Sequence, residues 1–183
     1  MDNGASSYRR FLDGDENAAG EIMQELFFSL VFFVDRYVRD VHTAEDIAMD
    51  VMSDLFVHRH RYNFKTSLKT YLFMRGKSRA IDFLRHRKAI EMTELTEAEA
   101  AEDGDIESKV IEDERKRALS AALGRLPEDM RAAVHLVFFE EMTYDEAARV
   151  MGKNRKQIDN LLYRAKKELR IMLGKEVSGD EEY

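Results

Sequence analysis

The chain has 183 residues, with 29 Lys and Arg against 36 Asp and Glu, a formal net charge of −7, 44% hydrophobic residues and no cysteine. Absence of cysteine excludes disulfides and thiolate chemistry and suits a cytoplasmic protein. The start, MDNGASSYRR, lacks the apolar run of a signal peptide; the longest apolar stretch, Leu26 to Val34, is broken by Ser29 and falls far short of the ~20 residues of a membrane span, so no span is expected.

One proline, nine glycines and long periodic segments predict an all-α protein, and the length allows two small helical domains. Residues 1–14 are polar and expected to fray. A first helix is predicted from about Glu16 to Asp40, with Ile22, Leu26, Leu30, Phe33 and Tyr37 on one side. Its excess of Phe at 27, 28, 32 and 33 is core in one reading and an apolar strip for a partner in another.

A second helix is predicted to start near Thr43, with Asp46 at its third position and Ile47, Val51 and Leu55 buried. Asp46, Asp50 and Asp54 stand at i, i+4 and i+8 and are expected to share a face. Three readings of that face stand open: a solvated surface, a carboxylate metal site, and an acidic dock for a basic protein surface. The metal site lacks the Glu-x-x-His companions that helix bundles use, so no metal or cofactor is expected. The docking reading accounts for like charges that cost helix stability when left unpaired.

From Arg59 to Lys88 there are ten Lys and Arg and one acid, a net of +9. Tyr62, Phe64, Tyr71, Phe73 and Phe83 interleave there with Lys65, Lys69, Arg75, Lys77, Arg79, Arg85, Arg87 and Lys88. Aromatic faces stack on unpaired bases and cations track phosphates; the simpler reading of Leu68, Leu72 and the aromatics is core. Ala89 to Glu114 holds eleven acids and one Lys, a net of −10, with no apolar period. It reads as a flexible acidic linker.

Beyond it, Leu119, Ala122, Leu123 and Leu126 line a helix that Pro127 ends, Pro127 being tolerated at the first position of the next. Met130, Ala133, Val134, Val137 and Phe138 line that next helix. Thr143 and Glu146 have capping-box spacing, Asn154 and Gln157 repeat it, and Gly152 offers the φ > 0 of a tight turn between them. The helix after the turn buries Ile158, Leu161, Leu162, Ala165 and Leu169. Its other face holds Arg155, Lys156, Asn160, Tyr163, Arg164, Lys166 and Lys167. Two short helices around Gly, the second with a basic outer face, describe a DNA-reading helix-turn-helix. The alternative is a helical hairpin with a solvated face. No Gly-rich phosphate loop, G-x-S-x-G, H-E-x-x-H or Cys-x-x-Cys is present, so no enzyme is expected.

In this order the segments resemble the extracytoplasmic-function sigma factors, two-domain members of the sigma-70 family of RNA polymerase subunits. AEDIAMDVMSDLF at 44–56 is similar to the segment that docks on core polymerase. SLKTYLFMRGKSRAIDFLRHRK at 67–88 is similar to the region that melts and reads the minus-ten element. The stretch 123–173 is similar to the domain that reads the minus-thirty-five element. The resemblance implies a sigma region 2 helical bundle over 1–88, an acidic linker over 89–111, a sigma region 4 helix-turn-helix over 112–174 and an acidic, disordered tail over 175–183.

It implies polymerase-contacting positions at Asp46, Met49 and Asp50, to which the shared acidic face adds Asp54, with the β and β′ subunits as partners. Lys69, Tyr71, Lys77, Ser78 and Arg79 fall in the melting helix, to which the basic block adds Lys65, Arg75 and Arg85. An unpaired base flipped into a pocket would carry minus-ten specificity. Arg155, Lys156, Asn160 and Arg164 fall where the recognition helix meets the major groove, and Tyr163 and Lys167 share its outer face. Met49 stands where Gln is usual, Tyr71 where Trp is, and Ser78 where Asn is. Asp159, Asn160 and Leu161 stand where Lys-Ser-Arg is common, so Asp159 either repels phosphate or accepts from a cytosine amino group. The family also implies an inhibitory anti-sigma factor, for which the tail and the Phe-rich helix are candidate sites. The alternative function is a stand-alone helix-turn-helix regulator with a helical sensor domain.

Overall fold

The structure, a computed structural model, describes residues 4–93 and 114–177. Among these, every regular element is helical: α1 (Ala5–Leu12), α2 (Asn17–Val38), α3 (Val41–Val57), α4 (Leu68–Thr93), α5 (Glu114–Gly124), α6 (Glu128–Val134) continued by a π-helical turn (His135–Phe139), α7 (Tyr144–Met151) and α8 (Arg155–Val177). The chain divides into two compact units, Met1–Gly104 and Asp105–Tyr183.

In the first unit, α2 packs against α1, α3 and α4, and α3 against α4. The apolar side of α2, through Ile22, Leu26, Leu30, Phe33 and Val34, is buried. Phe33 meets Phe73 of α4 with ring centroids 4.9 Å apart. The Phe excess resolves by the 3.6 period: Phe33 is core, while Phe28 and Phe32 stand 65% and 58% exposed on the opposite side. By length and composition α2, at 22 residues, is long and apolar enough to cross a membrane, more than its longest apolar run suggests. Here its apolar side forms the core of the unit.

The turn into α3 differs from the expected one. Arg39 closes α2 in the left-handed conformation, φ 53 and ψ 38. Asp40, not Thr43, then caps α3. Its carboxylate accepts from the Thr43 backbone N–H at 3.2 Å and from the Thr43 hydroxyl. Those bonds hold the Asp40 carboxyl below its usual range. The predicted buried line of α3 stands: Ile47, Ala48, Val51, Met52 and Leu55 are all buried.

Residues 5–12, expected to fray, form a helix instead. Tyr8, Phe11 and Leu12 have i, i+3, i+4 spacing; Tyr8 is fully buried and Phe11 nearly so. Gly4 starts this helix at φ 83, with Leu68 and Leu26 side-chain carbons 3.2 and 3.3 Å from where a Cβ would stand. Any side chain there meets both strain and crowding. α4 starts at Leu68, where Ser67 Oγ accepts from the Thr70 N–H at 3.1 Å. It runs on through Thr93, so the first five residues of the expected linker are helical. The remainder, 94–111, lies outside the described residues.

In the second unit, α5, α6 and α7 all pack on α8. Ala122, Leu126, Met130, Ala133, Val134, Ile158, Leu162 and Ala165 are buried, whereas Leu119 and Phe138 are 41% and 52% exposed. Pro127 sits one position before the helix, at the N-cap of α6, rather than at its first turn. The π-helical turn was not foreseen. It brings the buried His135 Nε2 to 3.1 Å from Glu140 Oε1, and Glu141 then turns the chain at φ 54. α8 continues three residues past Gly174, and 178–183 lie outside the described residues.

The Tyr8 hydroxyl shares its proton between the carbonyls of Leu55 (3.1 Å) and Arg59 (2.8 Å). Burial, helped by the nearby Tyr71, pushes this phenol from 10.0 up to about 12. The stability it contributes is complete below pH 10.0 and is lost as pH rises through the folded value. The melting midpoint of the wild type should therefore exceed that of Tyr8→Phe at neutral pH, and the gap should shrink as pH climbs past 10.0. A gap constant across that range would mean the hydroxyl is not held proton-on by the fold.

Candidate nucleic-acid interface

Three surfaces carry the expected site residues. On α3, Asp46 and Asp50 are exposed and Met49 is 47% exposed, all on one side. Asp54 is not with them. Each four-residue step along a helix drifts by about 40°, so i+8 lies about 80° around from i. That rotation turns Asp54 toward the loop and α4, where its side chain is only 15% exposed. Arg61 Nη1 lies 2.5 Å from Oδ1, His58 Nε2 3.6 Å from the same atom, and Arg75 Nη2 3.7 Å from Oδ2. Burial raises the Asp54 carboxyl, but the Arg61 hydrogen bond and the charges of Arg61, His58 and Arg75 outweigh it and hold the group below its usual range. Among the described residues no group of three or more His, Cys, Asp or Glu is positioned for a metal ion.

On α4, helical spacing puts Tyr71, Arg75, Ser78 and Arg85 along one line. Tyr71 is half-buried with its ring 5.2 Å from Tyr62, and Ser78 and Arg85 are exposed. Arg85 lies 3.4 Å from Asp82. Lys69, Lys77 and Arg79 fall off that line. Lys69 is half-buried with its ammonium 5.9 Å from the Phe73 ring centre, Lys77 is half-buried, and Arg79 is exposed. Lys65 is exposed in the preceding loop, its N–H donating to Asn63 Oδ1 at 3.1 Å. Of the aromatics interleaved with these cations, Tyr62 and Phe73 are core, and Phe64 and Phe83 are 36% and 37% exposed.

The third surface is the outer face of α8. Its placement is written in local chemistry. Thr143 Oγ1 accepts from the Glu146 N–H at 3.3 Å, and Glu146 accepts from the Thr143 N–H at 2.9 Å, closing the capping box. Gly152 ends α7 at φ 66 and ψ 35. Asn154 and Gln157 make the second reciprocal pair, at 2.9 and 2.8 Å. Each cap contributes about 1 kcal/mol; the first starts α7, and Gly152 with the Asn154–Gln157 pair fixes the turn into α8. α8 then buries Ile158, Leu162 and Ala165, with Leu161 and Leu169 half-buried. Arg155, Lys156, Asp159, Asn160, Tyr163, Arg164 and Lys167 are all exposed, Tyr163 at 72%. Lys156, Asn160, Tyr163 and Lys167 share one line. Arg155 stands at the edge toward α7, 3.3 Å from Asp145 and 5.9 Å from the Tyr144 ring centre.

Sequence reasoning passed over Tyr8, Arg9 and Phe11 of α1, though the Tyr8, Phe11, Leu12 spacing was there to be used. It also passed over the His135–Glu140 pair, which no local pattern announces.

One unit presents a cationic α8 face behind a capped turn; the other presents an acidic α3 face and a basic α4, all within a helical fold. Family models agree in both units: Sigma-70 region 2 matches residues 29–90 and Sigma-70, region 4 matches residues 116–169. The ECF RNA polymerase sigma factor SigM of Bacillus subtilis (strain 168) is 24% identical, over 87% of this chain and 98% of that protein. RNA polymerase sigma factor SigV of the same organism is 31% identical, over 82% of this chain and 86% of that protein. Among solved structures, the sigma factor RpoE of Bartonella quintana, in complex with the anti-sigma factor NepR, shares the fold with a TM-score of 0.64. It is 20% identical over 85% of this chain and 96% of that one. The chain belongs to the sigma-70 family of RNA polymerase sigma factors, in its extracytoplasmic-function group. It is a subunit that brings core polymerase to promoter DNA, and the stand-alone regulator is left without support.

Asp54→Asn removes the charge that gathers Arg61, Arg75 and His58, and should lower stability by about 1 kcal/mol, the half-exposed arginines being screened by solvent. The loss should be complete above pH 3.8 and should close as pH falls through the depressed folded value. Urea titrations at several pH values read it directly; equal stability of both proteins at neutral pH would show the ion pairs contribute nothing.

Proposed function

We propose that each surface carries one step of promoter-specific initiation. The Asp46, Met49 and Asp50 face of α3 docks on core RNA polymerase at its β and β′ subunits. Asp54 serves the fold instead, because its carboxylate is already committed to Arg61 and Arg75. α4 and its preceding loop, with Lys65, Lys69, Tyr71, Arg75, Lys77, Ser78, Arg79 and Arg85, melt and read the minus-ten element. The α8 face, with Arg155, Lys156, Asp159, Asn160, Tyr163, Arg164 and Lys167, reads the minus-thirty-five element in the major groove. The observation that carries this reading is that all seven α8 residues are exposed on a helix whose start is fixed by the reciprocal Asn154–Gln157 cap.

Within α8 the chemistry divides the labour. Asn160 has the paired donor and acceptor that read an adenine edge, while Lys156 and Lys167 are point charges suited to phosphate. Asp159 accepts from a cytosine amino group and discriminates against the other bases at its position. Arg155 is held by Asp145 and positions the N-terminal end of α8 on the backbone.

The protein acts in the cytoplasm, without catalysis of its own, and is held inactive by an anti-sigma partner. The solved relative bound to an anti-sigma factor supports that partner, and the exposed Phe28 and Phe32 of α2 offer it an apolar anchor.

The test is reconstitution with core polymerase. Asp46→Lys with Asp50→Lys should weaken association with core by at least tenfold while leaving the melting midpoint unchanged, since both positions are exposed. Retained affinity would remove α3 from the docking surface. Asn160→Ala should cost about 1–3 kcal/mol at one base pair of the upstream element and relax specificity only there. Lys156→Ala should weaken all sequences alike and reduce the salt slope by about 1. If added protein yields no promoter-dependent transcript from core polymerase, the reading fails as a whole.

A further inference from the structure

The family matches begin at residues 29 and 116, so α1 lies outside both. Yet α1 is tied at several points to the loop that leads into α4. The Tyr8 hydroxyl reaches two backbone carbonyls, Leu55 and Arg59, at either side of the end of α3. Its ring lies 5.5 Å from Tyr62, edge-on, and 6.0 Å from Phe64. Tyr62 in turn lies 4.6 Å from Phe64 and 5.2 Å from Tyr71. Two cations complete the joint: the Arg59 guanidinium sits 4.6 Å from the Phe11 ring centre, and Arg9 sits 5.0 Å from that of Phe64.

Phe64 is the unusual member. It adopts φ 58, a conformation that aromatic residues rarely take and that persists only where surroundings fix it. Its ring nevertheless stays 36% exposed, beside the exposed cation Arg9 and the exposed Lys65. It is held at the surface, flanked by positive charge, and Tyr62 touches both it and the half-buried Tyr71.

We propose that α1 is part of the minus-ten reader: Tyr8 is a positioning residue that fixes the loop so that Phe64 stands as a base-stacking residue in the aromatic cluster that Tyr62 extends to Tyr71, with Arg9 over one side of its ring. This rests on the reading of the α4 surface as the minus-ten interface. A base unstacked from the duplex gains a π-face to lie on, and cations on the rim hold its phosphates. The hydroxyl of Tyr8 touches no nucleotide; it acts through the carbonyls that set where the loop leaves α3.

The test uses the full-length chain bound to core polymerase and a pool of short single-stranded DNAs of randomised sequence. The quantity read is the ratio of binding to enriched over random sequences. A variant that merely destabilises the protein lowers the active fraction and scales all sequences equally, leaving this ratio alone. Phe64→Leu should lower the ratio by about tenfold, and Phe64→Tyr should retain it. Tyr8→Phe, which keeps the ring and loses the two hydrogen bonds, should lower it by about threefold. If Tyr8→Phe does not fold, judged by its circular dichroism, Arg9→Ala takes its place, because Arg9 is exposed and the change removes the stacking on Phe64. A wild-type ratio in the folded Tyr8→Phe holoenzyme, or in its Arg9→Ala substitute, overturns the proposal. A wild-type holoenzyme that enriches no sequence overturns the minus-ten reading and this inference with it, whereas a wild type that enriches and a Tyr8→Phe that matches it removes only the role of α1.

Discussion

Asp54 joins the acidic and basic parts of the first unit. The segment from Arg59 to Lys88 carries a net of +9, and like charges packed at that density repel one another. A single carboxylate at the end of α3, 15% exposed, draws Arg61 from the loop and Arg75 from α4 toward one point. Its position sets the path between two helices whose outer faces have opposite sign. It also explains why two aspartates, not three, remain on the outer face of α3. A partly buried carboxylate left unpaired would cost more than the pair contributes, so the group is of use to the fold only with its arginines in place.

The two units fix their surfaces by different means. In the second, the α8 face is set by devices that act over three residues: the Thr143–Glu146 box, Gly152 in the left-handed region, and the Asn154–Gln157 pair. In the first, the surface around α4 depends on contacts far apart in sequence. Tyr8 reaches carbonyls beyond α3, and Phe33 of α2 seats Phe73 of α4. A recognition helix that enters a groove as a rigid rod is well served by local caps. A loop that handles unpaired bases needs its backbone held at several points, which only tertiary contacts supply.

That division explains what could be read from the residues. Caps, periodic apolar lines and the α8 face are local, and the spacing of Thr143 with Glu146 or Ile158 with Leu162 and Ala165 was enough to find them. The core line of α3 was legible for the same reason. Its cap was not, because Asp40 and Thr43 are both good capping residues and the choice fell to Arg39, whose left-handed turn starts the helix three residues earlier. Asp54 was assigned to the wrong side because the drift of 3.6 against four accumulates over eight residues. α1 was passed over because its polar composition outweighed two aromatics whose partners lie about fifty residues on. The π-helical turn and the buried His135–Glu140 pair have no sequence signature at all. The residue-level roles came from the resemblance, since composition marks a surface as cationic without saying which base it meets.

The charge arithmetic bears on why such a protein needs polymerase. Four of the residues proposed to read the upstream element are cations, Arg155, Lys156, Arg164 and Lys167, with Asp159 among them. Four neutralised phosphates give a salt slope near −3.6, so affinity falls by about a hundredfold between roughly 50 and 200 mM salt. The chain as a whole carries −7, and beyond about 8 Å screening leaves little field to steer it onto DNA. On the role proposed for α8, a surface of this size reads sequence without holding a duplex alone at cellular salt. Joined to a large enzyme that grips DNA elsewhere, the same few contacts become effectively intramolecular and their selectivity is expressed without high intrinsic affinity. The acidic balance that argues against nucleic-acid binding at first sight is thus compatible with it: salt screens it, and the short-range contacts stay intact.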